Sequence, residues 1–188
     1  FQTIVCELTG FPVANASLLD EGTAAAEAMA MSFSARKNKS SKVYLVESNV
    51  FDHTFNVLQT RAKPLGISLK RFTQSNLPNH ADVFGMLLQL PGKNGELYDP
   101  TFLISQAHRS EIIVTACIDP LAQVLIKPIS EFGVDVAVGS MQRFGVPMGF
   151  GGPHAAYMAT KEAFKRNLPG RIVGLSQDAQ GNPAYRLA

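Results

Sequence analysis

The sequence VDVAVGSMQRFGVPMGFGGPHAAY, residues 134–157, places a glycine-rich turn between two strand-like segments. Its first part alternates apolar residues as a buried strand does, and its small-residue end can form a second strand. Four glycines fall within this turn: Gly145, Gly149, Gly151 and Gly152. Because glycine permits positive φ and close backbone approach, the turn either admits a ligand or partner chain or merely reverses the chain.

Strand-like and helical segments alternate along the rest of the chain. Apolar runs predict strands at residues 42–47, 67–72, 83–90, 111–118 and 172–175, the second of them less buried. Helical patterns occupy residues 1–11, 24–36, 49–65 and 101–109, with short helices at 121–126 and 161–168. Continuous apolar runs separated by helices are typical of a parallel sheet covered on both faces. We therefore predict an α/β fold with a mostly parallel sheet.

The gross composition is that of one globular domain. The chain has 188 residues, 46% hydrophobic and 17% charged, with a net charge of +2. No basic stripe indicates nucleic-acid binding, and no apolar run is long enough to span a membrane. The chain begins at Phe1, and both ends look cut, so we expect a truncated single domain over residues 1–188. Cys6 and Cys117 lie far apart in apolar surroundings, which predicts buried free thiols and a reducing compartment.

Three features follow predicted strands or begin a helix, where ligands bind in an open parallel sheet. Gly22 and Thr23 precede an alanine-rich helix whose free N–H groups could hold an anion, although Thr23 or Asp20 could simply cap it. Asp119 could bind a cationic ring nitrogen or cap the turn that follows it. Arg143 could bind an anion or form a salt bridge.

Other site types find no support in the sequence. The histidines are scattered, without the spacing of a metal site: His53, His80, His108 and His154. His154, just past the glycine-rich turn, is interpreted as a structural residue. No nucleophile elbow, dinucleotide-binding fingerprint or Walker A motif is present.

Three motifs in order resemble one family. They are NASLLDEGTAAAEAM at residues 15–29, VGSMQRFGVPMGFGGPHAAY at 138–157 and PGRIVG at 169–174. They are similar to the glycine decarboxylases, the P-proteins of the glycine cleavage system, and the resemblance covers essentially the whole chain.

The resemblance implies the aminotransferase-like fold of type I pyridoxal-phosphate enzymes, in two homologous halves. This chain resembles the large domain of the amino-terminal half, and the carboxyl-terminal half carries the lysine that binds pyridoxal phosphate. The family decarboxylates glycine and passes the aminomethyl group to the lipoyl arm of the H-protein. Dimers or two-chain tetramers are implied, in a bacterial cytoplasm or a mitochondrial matrix.

The chain departs from the catalytic pattern at one position. Such a site needs a lysine amine, a carboxylate for the ring nitrogen and a helix N-terminus for the phosphate. Gly22, Thr23 and Asp119 resemble the last two parts, but Gln142 and Arg143 stand at the lysine position. An arginine stays protonated and cannot form the imine.

Two other lysines near this stretch, Lys127 and Lys161, lie outside the loop where the lysine belongs. We therefore expect no catalytic residue here. Our hypothesis is a degenerate partner domain, inactive alone, that completes the cofactor-bearing half, with residues 145–152 as a candidate interface. The alternatives are an independent pyridoxal-phosphate enzyme and a non-enzymatic α/β scaffold in which Thr23 and Asp119 are caps only.

Overall fold

The computed structural model describes residues 1–75, 82–146, 149 and 154–187. Seven strands form one sheet in the order β1-β7-β6-β5-β4-β2-β3. The strands are β1 (Val13–Ala14), β2 (Val43–Glu47), β3 (Ser68–Phe72), β4 (Val83–Leu90), β5 (Ile113–Ile118), β6 (Val136–Ser140) and β7 (Ala156–Thr160). Strands β2 to β6 are mutually parallel, and β7 runs antiparallel to both of its neighbours. The predicted α/β fold with a mostly parallel sheet is confirmed.

Helices cover both faces of the sheet. They are α1 (Gln2–Thr9), α2 (Glu21–Ala35), α3 (Asp52–Ala62) and α4 (Thr101–Arg109). Buried side chains of α2 and α3 pack on one face with Tyr44, Val46 and Leu87, and those of α1 and α4 pack on the other with Leu45 and Leu88. Successive residues of one strand thus enter opposite cores, because strand side chains alternate between faces.

Short 3₁₀ helices complete the connections between strands. They span Lys63–Leu65, Ala122–Val124, Ile129–Phe132, Met141–Phe144 and Glu162–Asn167. A separate antiparallel hairpin follows, formed by β8 (Val173–Gln177) and β9 (Pro183–Leu187). No helix of the described residues is long and apolar enough to cross a membrane.

Strand and helix types agree with the sequence wherever a segment is long. The predicted bounds of β4 and α4 are reproduced. β3 is less buried, as its alternation predicts, and lies at an edge of the sheet. The expected start of α2 at residue 24 is wrong, because Asp20 caps the helix and Glu21 begins it. The sequence also missed β1 and β9, since two-residue and terminal strands carry little pattern of their own.

At each end of the parallel strands, a buried carboxylate accepts hydrogen bonds from several elements. At the carboxyl edge, Glu47 accepts hydrogen bonds from Gln74 Nε2, Gln89 N and Tyr98 Oη. At the amino edge, Asp135 accepts from Val114 N and pairs with His108 and Lys161. Each carboxylate joins several elements, and its hydrogen bonds offset the cost of burying its charge.

Both cysteines are free thiols, as predicted, but only one is fully buried. Cys117 lies in the core on β5, and Cys6 on α1 is partly exposed. Burial raises the pKa of each thiol above its usual value. Neither thiol is therefore an activated nucleophile.

Candidate functional site

A cleft of about 440 Å³ opens where β4, β5 and β6 end. Its lining combines polar side chains from several elements: Glu21, Gln89, Lys93, Asp119, Ser140, Gln142 and Arg143. An adjoining cavity of about 300 Å³ shares Glu21, Phe51, Ser140 and Gln142 with it and also contacts His53 and His154. The carboxyl edge of a parallel sheet is where ligands of this fold class bind, so the cleft is the candidate site.

Asp119 and Arg143, singled out separately in the sequence, meet in this cleft. Arg143 Nη2 lies 3.1 Å from Asp119 Oδ2 in an ion pair. The other carboxylate oxygen, Asp119 Oδ1, accepts a hydrogen bond from Leu121 N at 2.9 Å. Asp119 is therefore a turn cap, as one of the two open interpretations held, and its remaining oxygen faces a guanidinium.

The start of α2 differs from the pattern expected of an anion site. Gly22 lies inside the first helical turn, and a Cβ there would come 3.4 Å from Val57 Cγ2 of α3, an ordinary contact that does not require a glycine. Thr23 is not the cap, because its backbone N–H donates to Asp20 Oδ1 at 2.6 Å. Asp20 and Glu21 place two carboxyl groups at this helix end, which favours the helix but opposes a phosphate.

The residues present do not fit pyridoxal phosphate in this cleft. The acid expected at the ring nitrogen is engaged by Arg143, and Asp20 takes an N–H group that a phosphate would need. Lys93 lines the cleft and was missed by the sequence reasoning. It belongs to the loop after β4, not the loop after β6, and its Nζ lies 4.0 Å from Asp52 Oδ1.

Glu21 is the titratable group that the sequence did not reveal. Burial raises the pKa of its carboxyl group to about 7, and the nearby charges of Asp119 and Asp20 add to this, while Gln89 opposes it. An acidic residue beside an N-cap is an ordinary sequence pattern. Only the fold brings it against the end of β4, so no sequence signal could have found it.

The cleft is also lined by a buried amide, Gln89, whose side-chain oxygen accepts no hydrogen bond from the described residues. Gln89 is 2% exposed, and its Oε1 has no hydrogen-bond partner among the described residues. Its backbone N–H donates to Glu47, which fixes the end of β4.

Ser140, Gln142 and His154 form a hydrogen-bonded group at the end of β6. Ser140 Oγ donates to the His154 carbonyl at 2.7 Å, and Gln142 Nε2 donates to His154 Nδ1 at 2.6 Å. His154 thus has the structural role predicted for it, through its carbonyl oxygen and its ring Nδ1. The group holds the start of the 3₁₀ helix that carries Arg143.

The remaining predicted residues lie elsewhere or outside the described part of the chain. Lys161 and His108 bind Asp135 at the opposite edge of the sheet, and Lys127 lies over the ring of Phe132. His80 and residues 147, 148 and 150–153 of the glycine-rich turn lie outside the described residues, so the interface predicted at residues 145–152 stays a prediction. Among the described residues, no three His, Cys, Asp or Glu side chains are grouped to hold a metal.

Comparisons with known proteins agree on one family. A family model described as Glycine cleavage system P-protein matches residues 1–188. A glycine dehydrogenase (decarboxylating) from Prochlorococcus marinus (strain NATL2A) is 60% identical over the whole chain, which spans 19% of that relative's length.

Solved structures show the same fold. A crystal structure of glycine decarboxylase (P-protein) of the glycine cleavage system, in inhibitor-bound form, matches with a TM-score of 0.90 and 34% identity, over all of this chain and 43% of that one. An O-acetylhomoserine (thiol)-lyase from Campylobacter jejuni matches 89% of this chain and 41% of its own, at a TM-score of 0.64 and 15% identity, and shares the fold alone. This chain belongs to the P-protein family of the glycine cleavage system.

Proposed function

We propose that this chain is a non-catalytic partner domain of a glycine dehydrogenase (decarboxylating). The enzyme would decarboxylate glycine with pyridoxal phosphate held by a lysine in its other half. It would then pass the aminomethyl group to the lipoyl arm of the H-protein. The names of the relatives support the activity of the whole enzyme, of which this chain would supply one domain.

The ion pair between Arg143 and Asp119 carries the proposal. A guanidinium remains protonated at any pH an enzyme uses, so it cannot condense with an aldehyde. The same guanidinium neutralises the acid that would hold a ring nitrogen protonated. The residue at the imine-forming position and the acid for the ring nitrogen thus bind each other. Decarboxylation would therefore depend on another domain of the enzyme.

Exposed apolar side chains beside the cleft support packing against that other domain. Leu121 is 44% exposed and Phe144 45%, and they adjoin Pro120 and Arg143 of the cleft lining in sequence. Exposed apolar groups next to a polar cleft are typical of a surface that another chain or domain covers. On this basis we propose that the enzyme is a dimer or a two-chain tetramer. We further propose that it lies in the cytoplasm in a bacterium and in the mitochondrial matrix in a eukaryote.

Borohydride reduction of the full-length enzyme loaded with pyridoxal phosphate tests the proposal. Reduction makes the bond between cofactor and lysine permanent, and mass spectrometry of the digest locates it. We expect a pyridoxyl group on one lysine outside residues 1–188 and none within them.

Lys93 is the informative residue within the chain, because it lines the cleft. A pyridoxyl group on Lys93, lost in Lys93→Arg, would overturn the proposal in favour of an independent cofactor site. If substitutions at Arg143 and Asp119 leave both assembly and glycine turnover unchanged, the chain would instead be a scaffold domain whose cleft has no part in the reaction.

A further inference from the structure

The β8–β9 hairpin presents an apolar face that nothing in the described residues covers. Its register places Val173 opposite Leu187 and Leu175 opposite Tyr185. Directly paired residues of antiparallel strands lie on the same side, so these four side chains form one surface, which we call the hairpin face.

The four side chains of the hairpin face are apolar or aromatic, yet all of them are exposed to solvent. Val173 is 37% exposed, Leu175 74%, Tyr185 82% and Leu187 51%. A two-stranded hairpin is marginally stable alone in water, and antiparallel sheets normally pack one apolar face on a core. The hairpin shares no strand pairing with the seven-stranded sheet, so that sheet does not supply this support.

Side-chain hydrogen bonds nevertheless order both ends of the hairpin. At its base, the Gln2 side chain accepts from Val173 N at 2.7 Å and donates to Val173 O at 3.1 Å. At its tip, the Asp178 carboxylate accepts from the backbone N–H groups of Gln180 and Asn182. A segment that such contacts already order loses less conformational entropy on docking than a disordered one, so it suits a binding surface.

We propose that the hairpin face docks onto a part of the full-length protein outside residues 1–188. The chain spans 19% of a relative's length and 43% of a solved family member, so most of the protein that could cover the hairpin lies outside this chain. Four side chains offer less than the ~800 Å² that each partner buries in a stable interface between separate proteins. Such a small face suits packing within one assembled protein better than a free-standing dimer contact. This docking is independent of the chemistry of the cleft.

Photocrosslinking in the full-length enzyme tests the docking. Tyr185 is replaced by p-benzoylphenylalanine, and Arg186, exposed on the opposite side of β9, receives the same replacement as the control. We expect Tyr185→p-benzoylphenylalanine to crosslink to a peptide outside residues 1–188, at a yield at least about tenfold above the control variant.

Three outcomes would overturn the proposal. A crosslink from position 185 into residues 1–188 of a second copy would make the face a self-association surface. A crosslink that forms only when H-protein is added would assign it to that carrier protein. The absence of any crosslink above the control would show that the face is open to solvent.

A second variant covers the case in which the bulky probe disturbs the contact. Leu175→Ser combined with Tyr185→Ser removes the apolar face, and Arg186→Ser is its matched control. We expect hydrogen exchange in residues 173–187 of the full-length enzyme to accelerate by at least about tenfold in the double variant only. Equal exchange in both variants would contradict docking.

Discussion

Glu21 has a carboxyl group whose pKa burial raises to about 7, well above the 4.5 of an exposed glutamate. Its folded form therefore binds a proton more tightly than its unfolded form. The stability that this difference contributes is fully present below pH 4.5 and is lost as the pH rises towards 7. The carboxyl group thus becomes a destabilising charge in the physiological range.

We expect Glu21→Gln to stabilise the chain at pH 8 by up to about 3 kcal/mol, and to make no such difference at pH 4.5. Urea unfolding at pH values from 4.5 to 8 measures this, with the exposed Glu7→Gln on α1 as the control. A free energy of unfolding that changes with pH equally in both variants would show that Glu21 is not the group responsible.

Asp119 has two separable roles, which substitutions can distinguish. Asp119→Asn removes the charge that faces Arg143 but keeps an oxygen for Leu121 N, and Arg143→Gln removes the same ion pair from the other side. Because the pair is partly exposed, each change should cost roughly 0.2–1 kcal/mol. Asp119→Ala also loses the cap, and should cost about 1 kcal/mol more.

Urea unfolding of the three variants at pH 7 provides the comparison. Equal losses for Asp119→Asn and Asp119→Ala would show that the cap contributes nothing. A much larger loss for Arg143→Gln than for Asp119→Asn would mean that the arginine has a further partner.

Strand β6 depends on a close approach to both of its neighbours. A Cβ on Gly139 would lie 2.4 Å from Ile118 O and 2.7 Å from Tyr157 Oη. The Tyr157 hydroxyl donates to that same carbonyl at 2.7 Å, so the space is filled by a hydrogen bond that joins β5 and β7 across β6. Glycine is needed here for lack of a side chain, not for backbone freedom.

We expect Gly139→Ala to destabilise the chain by about 1–3 kcal/mol or more, because the strands must separate to admit the methyl group. Gly174→Ala in β8 is the matched control, since nothing lies within 4 Å of its added Cβ. Thermal unfolding of the two variants measures the difference. Similar midpoints would show that β6 can move at little cost.

Helices and strands with a repeating apolar pattern could be predicted from the sequence. Elements that form only through pairing or capping by distant or alternative residues could not. The mostly apolar run of β4 and the amphipathic α4 gave correct bounds because each pattern repeats over several residues. β1 has two residues and exists through its pairing with Thr160 and Ala159, which no local pattern contains. The start of α2 was misplaced by three residues because Asp20 and Thr23 both suit a cap, and only the hydrogen bond decides between them.

The candidate site shows the same division. Asp119 and Arg143 could be singled out because their residue types follow strands, and the fold then placed them 3.1 Å apart. Glu21, Gln89 and Lys93 enter the cleft from separate segments, so their roles depend on three-dimensional placement alone.

Across the molecule as a whole, Asp135 joins more elements than its position in a loop suggests. It ties the end of α4 through His108, the start of β5 through Val114 N, and the end of β7 through Lys161. Asp135→Ala removes the acceptor of the buried Val114 N–H and the carboxylate that pairs with His108 and Lys161, while Lys161 Nζ keeps the carbonyl oxygen of Gly133. We expect a loss of about 1–3 kcal/mol, mainly the cost of leaving the buried Val114 N–H unsatisfied, because the side chains of Lys161 and His108 are partly exposed to water.

Glu162→Ala is the control for this prediction, because it removes an exposed pair with Lys165 and should change stability by under about 0.5 kcal/mol. Chemical unfolding of both variants at pH 7 provides the measurement. A small loss for Asp135→Ala would mean that the amino edge of the sheet is held by its apolar packing alone.

The pairing of β1 with β7 has a consequence for synthesis on the ribosome. β1 lies at residues 13 and 14, whereas its partner starts at residue 156, so within the seven-stranded sheet β1 is synthesised well before it can pair with β7. Until β7 is available, β6 has an open side with unpaired N–H and C=O groups, which can template the wrong neighbour. Nascent chains that stall before this point should therefore be clients of chaperones, and a premature stop codon there should yield an insoluble product.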